Sequence, residues 1–285
     1  MMNRAIVVGV DGSRAAWSAL AWAAEDAERR SIPLRIVHVR EPWLAEHPLT
    51  ASSDEETLTE RCRQLLESAA RRASALAPTA RISAVLVTGA VIERLKTESD
   101  SAETVVVGSR GWGGFSGLVL GSVGLGLAGY AKSPLVVVRR LPRGDSGEIV
   151  VGYDGSPCAD LALEYATTQA SARNAPLRVL YGRRYPIAAP HPVGYGPLPV
   201  DEAPEVGQRL IAWREKHPGV ELIESIVREH PVPALAKASR AAELVVVGSR
   251  GQGGFTGLML GSVSHGVLHR AHCPVAVVSG LWRHS

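Results

Sequence analysis

The sequence predicts two copies of one α/β domain, each an open, doubly wound, five-stranded parallel sheet in the order 3-2-1-4-5 with helices on both faces. Three observations lead there: an internal repeat, short apolar runs that alternate with helical patterns, and runs too uniformly apolar for a half-exposed strand. The repeat is the plainest. Residues 103–123 read ETVVVGSRGWGGFSGLVLGSV and residues 243–263 read ELVVVGSRGQGGFTGLMLGSV, with 17 of 21 positions identical. IVVGVDGS at 6–13 matches IVVGYDGS at 149–156. The offsets are 143 and 140, so the second copy lacks three residues between its motifs. The 285 residues therefore divide into one domain over 1–141 and another over 147–285. The seam from Leu141 to Gly147 holds Pro142 and Gly144, which suit a linker.

In the first copy, strands are expected at 4–10, 33–40, 81–88, 103–108 and 134–139, separated by helices at about 14–30, 54–77, 91–100 and 121–131. The second copy repeats the strands at 148–153, 176–182, 220–228, 243–248 and 274–279. VVVG and LVVVR are apolar throughout, as strands buried on both faces of a parallel sheet are. Right-handed crossovers leave few topologies. Polar residues cluster after strand 1 and after strand 4, and ligands of such sheets bind where strand order reverses. One site served by both loops makes strands 1 and 4 neighbours, hence 3-2-1-4-5. Strands 134–139 and 274–279 come last in their copies and would each leave an exposed edge, so they are expected to pair and make an intramolecular pseudo-dimer.

Composition excludes several classes. With 46% hydrophobic and 21% charged residues, the chain is that of a globular protein. A net charge of +3, with Lys96, Lys132, Lys216 and Lys237 the only lysines, gives no basic patch for nucleic acid. Cys62, Cys158 and Cys273 have no metal-ligand spacing, which argues against structural zinc and for a reducing, cytoplasmic setting. No apolar run approaches the roughly 20 residues of a membrane helix, and the start of the chain has no signal-peptide pattern.

The chemistry lies in the loops. After strand 4 come Gly108, Gly111, Gly113, Gly114 and Gly117, then Gly121-Ser122 opens a helix. Glycines let backbone N–H groups approach a ligand closely, and a helix N-terminus adds unpaired donors and a positive dipole end. The result is an anion cradle suited to a di- or triphosphate, to which Ser122 adds a hydroxyl donor and Arg110 adds charge. The plainer reading is a glycine loop with Ser122 as a helix cap. The second copy offers Gly248, Arg250, Gly251, Gly253, Gly254, Gly261 and Ser262. Asp11 and Asp154 end strand 1, either as carboxylates for ribose hydroxyls or a phosphate-bound Mg²⁺, or as helix caps aided by Ser13 and Ser156. No Gly-Lys-Ser/Thr occurs, which excludes a P-loop. The GxGxxG at Gly124, Gly126 and Gly129 falls inside a predicted helix and after no strand, so it is no dinucleotide fingerprint. His265, His269 and His272 have helical spacing, but Leu125, Gly129 and Lys132 stand there in the first copy, as a solvated face would allow. Cys158 lies near a helix N-terminus, where thiolates are stabilised, yet its counterpart is Ala15.

With these motifs the chain resembles the universal stress protein family in its tandem, two-domain form. Gly108-x2-Gly111-x9-Gly121-Ser122 and Gly248-x2-Gly251-x9-Gly261-Ser262 are similar to that family's ATP-binding pattern. The resemblance implies ATP with Mg²⁺, one per domain, near Gly9 and Asp11 or Gly152 and Asp154, with the base beside Val39 or Gly182. It implies that Gly111, Trp112, Gly113 and Gly114 wrap the phosphates in the first domain, within an ATP-binding segment that begins at Ser109 and Arg110. Ser249, Arg250, Gly251, Gln252, Gly253 and Gly254 form its counterpart, and Val123 and Val263 follow the helix-opening serines. It implies pairing of domains through their last strands, with a homodimer of chains also compatible. The function expected is that of a cytosolic ATP-binding stress-response regulator and not an enzyme. The alternative is a slow ATPase or adenylyl-transfer enzyme of related fold. Two departures stand out. Gly124, Gly126 and Gly129 should weaken the last helix of the first copy by up to about 1 kcal/mol per glycine relative to alanine. The Pro-rich insert 185–199 matches no motif.

Overall fold

Each half begins with the strand, turn and helix that its IVVG-x-DGS motif encodes. In the first, β1 (Ile6–Gly9) is followed by α1 (Arg14–Arg30), β2 (Leu34–Arg40), α2 (Ser52–Leu76), β3 (Ile82–Thr88), α3 (Val91–Ser99), β4 (Thr104–Gly108), α4 (Ser122–Leu127) and β5 (Leu135–Val138). The second runs β6 (Glu148–Gly152), α5 (Pro157–Arg173), β7 (Leu177–Gly182), α6 (Ala203–Lys216), β8 (Leu222–Val227), α7 (Pro231–Ala238), β9 (Ala242–Gly248), α8 (Ser262–Arg270) and β10 (Val275–Val278). The computed structural model describes residues 4–41, 52–111, 120–139, 141, 147–182, 203–252 and 260–282, with 52–57 and 203–206 as backbone alone. The Pro-rich insert and the linker residues 142–146 lie outside the described residues.

The helices start and stop where local chemistry tells them to. Ser13 and Ser156 are the N-caps of α1 and α5, and each side chain accepts a hydrogen bond from the backbone N–H three residues on. Both helices end on a residue in the left-handed region, Ser31 at φ 51° and Asn174 at φ 49°, whose N–H groups bond back to the last turn. All strands within a half are parallel, in the order β3-β2-β1-β4-β5 and β8-β7-β6-β9-β10. The sheet is buried on both faces: Ile6 and Val8 of β1 join the side covered by α1, α2, α5 and α6, whereas Val7 joins the side covered by α3, α4, α7 and α8.

The halves join edge to edge. β5 pairs antiparallel with β10, Val137 opposite Val275 and Val136 opposite Ala276, so ten strands form one continuous sheet. Both apolar clusters run through this seam. Behind it, α1 and α5 pack across an approximate two-fold axis, and a buried ionic cluster lies between them. Asp26, wholly buried, is 2.9 Å from Arg173 and 3.5 Å from Arg30 and accepts from Gln169 at 3.3 Å. Arg30 also pairs with Glu103, and Arg173 with Glu243 at 3.3 Å. Tyr165, fully buried, lies 3.3 Å from the Thr104 hydroxyl across the seam.

One helix departs from expectation. The helix anticipated at 121–131 is only Ser122–Leu127, and Gly129 lies beyond it at φ +90°. Its counterpart α8 continues to Arg270. Gly126 is shared with the second half, as Gly266, and both sit where a Cβ would meet the preceding helix, 2.6 Å from Ile92 or 2.7 Å from Val232. Gly124 and Gly129 replace Ser264 and His269, and their conformational freedom ends the helix early.

Candidate functional site

A cleft opens at the carboxyl ends of strands 1 and 4 in each half. Its geometry starts with the turn after strand 1. Gly12 and Gly155 have φ +84° and +77°, a conformation that disfavours a side chain. Across each turn an aspartate closes a small ring: Asp11 Oδ1 accepts from Ser13 N–H at 2.9 Å and Asp154 Oδ1 from Ser156 N–H at 3.0 Å. The serine, not the aspartate, caps the following helix. The serine hydroxyls also donate to the glycine loop, Ser13 to Arg110 O at 3.2 Å and Ser156 to Arg250 O at 3.4 Å. Asp154 reaches the same loop with its other oxygen, which accepts from Gln252 N–H at 3.1 Å.

The glycine loop is folded back on itself. Gly121 N–H donates to Ser109 O, and Gly261 N–H to Ser249 O, each at 2.7 Å. Gly121 and Gly261 are the N-terminal flanking residues of α4 and α8, and among the described residues no side chain caps either helix. The first backbone donors of each helix therefore lack a side-chain acceptor. Ser122 is the first helical residue and exposed, so it does not cap. Several glycines have a packing role that the sequence does not announce. A Cβ on Gly108 would stand 2.6 Å from the Ala15 carbonyl carbon, and one on Gly248 2.8 Å from the Cys158 backbone, so strand 4 ends directly against the first helix. A Cβ on Gly111 or Gly251 would stand 2.5 or 2.3 Å from the carboxylate of Asp11 or Asp154.

The second cleft is the larger, about 560 Å³. Gly152 and Gly248 line it, together with Gly182, Asp154, Arg250 and Gly251. Gln252, Gly261, Ser262 and Val263 also line it. Arg250 Nε is buried there without a hydrogen-bond partner among the described residues. The first cleft is about 90 Å³ and is lined by Gly9, Asp11, Val39, Gly108, Arg110 and Gly111, with Val123 beside them. Gly121 and Ser122 are not among its walls. Ser109 and Ser249 are buried, 4% and 1% exposed, and line neither cleft; their backbone carbonyls close the loops instead. Trp112, Gly113, Gly114, Gly253 and Gly254 lie outside the described residues.

Sequence reasoning missed the apolar walls and two polar ones. Leu95 and Leu235 support strand 1 from below the clefts. His38 lines the first cleft and its Nδ1–H donates to Val10 O at 2.7 Å. Tyr153 lines the second; its hydroxyl donates to Asp160 at 2.6 Å, and burial, then that bond, push its pKa up to about 12. The period-2 alternation of strand 2 could have pointed to His38, but nothing local marks Tyr153, whose counterpart is Val10. The histidines do not converge as a metal site: His265 and His269 rings sit 4.6 Å apart on α8, whereas His272 follows the helix and donates its backbone N–H to Ser239. Among the described residues no three metal-ligating side chains cluster, and no helix is long and apolar enough to cross a membrane.

Comparison with known proteins agrees with this architecture. The model of the universal stress protein family matches twice, over residues 2–139 and 146–279. Universal stress protein Rv2623 of Mycobacterium tuberculosis is 36% identical over 287 residues, covering 95% of each chain. Universal stress protein Rv1996 of the same organism is 34% identical over 300 residues, covering 96% of this chain and 95% of that one. A universal stress protein from Archaeoglobus fulgidus superposes over 98% of this chain and 99% of its own with a TM-score of 0.74, at 22% identity, a likeness of fold. Two family matches that span both halves, and relatives of the same two-domain length, place the chain in the universal stress protein family.

Proposed function

We propose that the chain is a cytosolic ATP-binding regulator that holds one ATP in each domain and works by its loaded state rather than by turnover. The observation that carries this reading is the second cleft: about 560 Å³, within the range of nucleotide-sized pockets, with the Arg250 Nε–H buried at its wall and unpartnered among the described residues. A buried guanidinium donor without an acceptor is unfavourable, and a phosphate oxygen would supply that acceptor. The uncapped start of α8 offers further N–H donors to the same anion. The apolar inner wall, with Leu180 and Leu235, suits a base.

In the first domain the matching residues are Gly9, Asp11, Val39, Arg110 and Gly111. Asp11 and Asp154 are the carboxylates that would hold a phosphate-bound Mg²⁺, which would neutralise charge between the phosphates. The test is calorimetric titration of nucleotide-stripped protein with MgATP, alongside phosphate release over hours. Two equivalents bound and retained as ATP support the reading. Absence of ATP binding overturns it, and steady phosphate release converts the protein into a slow ATPase.

A further inference from the structure

The two glycine loops have the same sequence from Gly108 to Gly111 and from Gly248 to Gly251, yet they are not held alike. In the second domain the Ser264 hydroxyl, 2% exposed, lies 2.9 Å from Gly248 O and 3.1 Å from Ser249 O. It ties the first turn of α8 to the start of the loop, and Ser264 itself lines the cleft. The equivalent position in the first domain is Gly124, which has no side chain to make that tie. Further differences run the same way. Arg250 is half-buried, with its Nε unpartnered among the described residues, whereas Arg110 is exposed. The helix behind the loop has nine residues in the second domain and six in the first.

We propose that the two clefts are graded, the second domain binding nucleotide more tightly because Ser264 is a positioning residue for its phosphate loop and Gly124 leaves the first loop without one. The proposal rests on the reading of both clefts as ATP sites. A loop already held in its bound form loses less conformational freedom when the ligand arrives, so the tie adds to affinity without touching the ligand. One net hydrogen bond corresponds to about a fivefold change in affinity. Because Arg250 is also better enclosed than Arg110, the two sites should differ by about tenfold or more.

The exchange can be made in both directions. A Cβ at Gly124 would meet Leu120 at 3.5 Å and Val137 at 3.6 Å, ordinary contacts, so serine fits there. The experiment titrates nucleotide-stripped full-length protein with MgATP by calorimetry for the wild type, Ser264→Gly and Gly124→Ser, with thermal melts of each apo protein. The expected wild-type isotherm has a tight and a weak phase. Ser264→Gly weakens only the tight phase by about fivefold, and Gly124→Ser strengthens only the weak one by a similar factor. A purely structural role would move the melting temperature and leave the two phases unaltered. Two indistinguishable sites in the wild type, or a Gly124→Ser protein with an unaltered weak phase, would overturn the grading while leaving ATP binding intact. No binding of ATP at either site would instead remove the functional reading, and the grading with it. If Ser264→Gly fails to fold, the Gly124→Ser isotherm alone decides.

Discussion

Replacing Asp26 with asparagine should be among the most damaging near-isosteric changes available to this protein. The side chain keeps its size and loses only its charge. That charge is wholly buried and serves Arg173 at 2.9 Å and Arg30 at 3.5 Å, whose side chains are 3% and 9% exposed. Burial opposes the charge on Arg30, but Asp26, Tyr165 and Glu103 outweigh it and its pKa is raised. Asp26→Asn leaves two guanidinium groups in the interior with one glutamate each, Glu103 and Glu243, 21% and 20% exposed. Breaking one side of a buried ion pair costs about 3–5 kcal/mol. The remaining glutamates put this case at the lower end, about 3 kcal/mol. For a chain of this size that is a melting temperature lower by roughly 6–12 °C. Thermal unfolding followed by circular dichroism measures it. Glu67→Gln, which removes an exposed pair at 3.6 Å with both partners more than two-thirds exposed, is the control and should change nothing measurable. An Asp26→Asn protein that melts within about 2 °C of the wild type would refute the view that this cluster locks the halves together.

Further expectations concern the glycines, the caps and pH. Gly248→Ala places a Cβ 2.8 Å from backbone atoms of Cys158 and should cost about 1–3 kcal/mol in chemical denaturation. Gly207→Ala, in α6 with nothing within 4 Å of the new carbon, should stabilise by about 0.5–1 kcal/mol; equal effects at the two sites would refute the packing argument. Ser156→Ala removes the N-cap of α5 and its tie to Arg250 O, and urea unfolding should show a loss of about 1 kcal/mol. His269 has its pKa lowered by burial, then by His265 and Arg139, so the unfolded chain takes up its proton first as pH falls. Its contribution to stability is complete above the ordinary histidine pKa of about 6.5, declines below it and levels off once the folded pKa is passed. His269→Gln should therefore flatten the fall in stability between about pH 7.5 and 5.5, and an unaltered slope would show that His269 does not contribute.

The repeat and the doubly apolar strands made most of the fold legible, because both depend on properties that sequence carries directly: identity at a fixed offset, and uninterrupted Val-rich runs. The edge pairing of 134–139 with 274–279 followed from the cost of leaving such strands open. The site was legible as positions but less so as roles. Gly108 and Gly248 read as ligand contacts, and the structure adds a tight approach to α1 and α5 that no local pattern encodes. Ser122 read either as a hydroxyl donor to an anion or as a helix cap, and the polypeptide enters α4 one residue earlier, through Gly121, which leaves Ser122 no capping role. Leu95 comes to the first cleft from α3, a separate element, while Tyr153 and His38 sit beside anticipated residues, Asp154 and Val39, and only the packed sheet shows that they face the clefts. The length of α4 was misjudged because an apolar pattern persists through 121–131, while the conformational freedom of Gly124 and Gly129 decides where the helix stops.

Covalent duplication gives these two domains something that a dimer of identical domains lacks. Across a true two-fold axis, each residue near the axis meets its own copy, so a carboxylate there faces a carboxylate. Positions 26 and 169 are equivalent by the offset of 143, and here Asp26 meets Gln169, so one buried carboxylate is shared by the equivalent arginines Arg30 and Arg173. Halves that have diverged can place one charge between two symmetric partners, which identical halves cannot. The same freedom lets position 264 remain serine while position 124 is glycine, and position 182 be glycine while position 39 is valine. Because β5 and β10 are used up in pairing with each other, the edges of the sheet among the described residues are β3 and β8 at its far ends. Association with a second chain cannot repeat the strand pairing that joins the halves. The seam fixes how the two clefts sit on one sheet, and divergence on either side of it sets how each cleft is built.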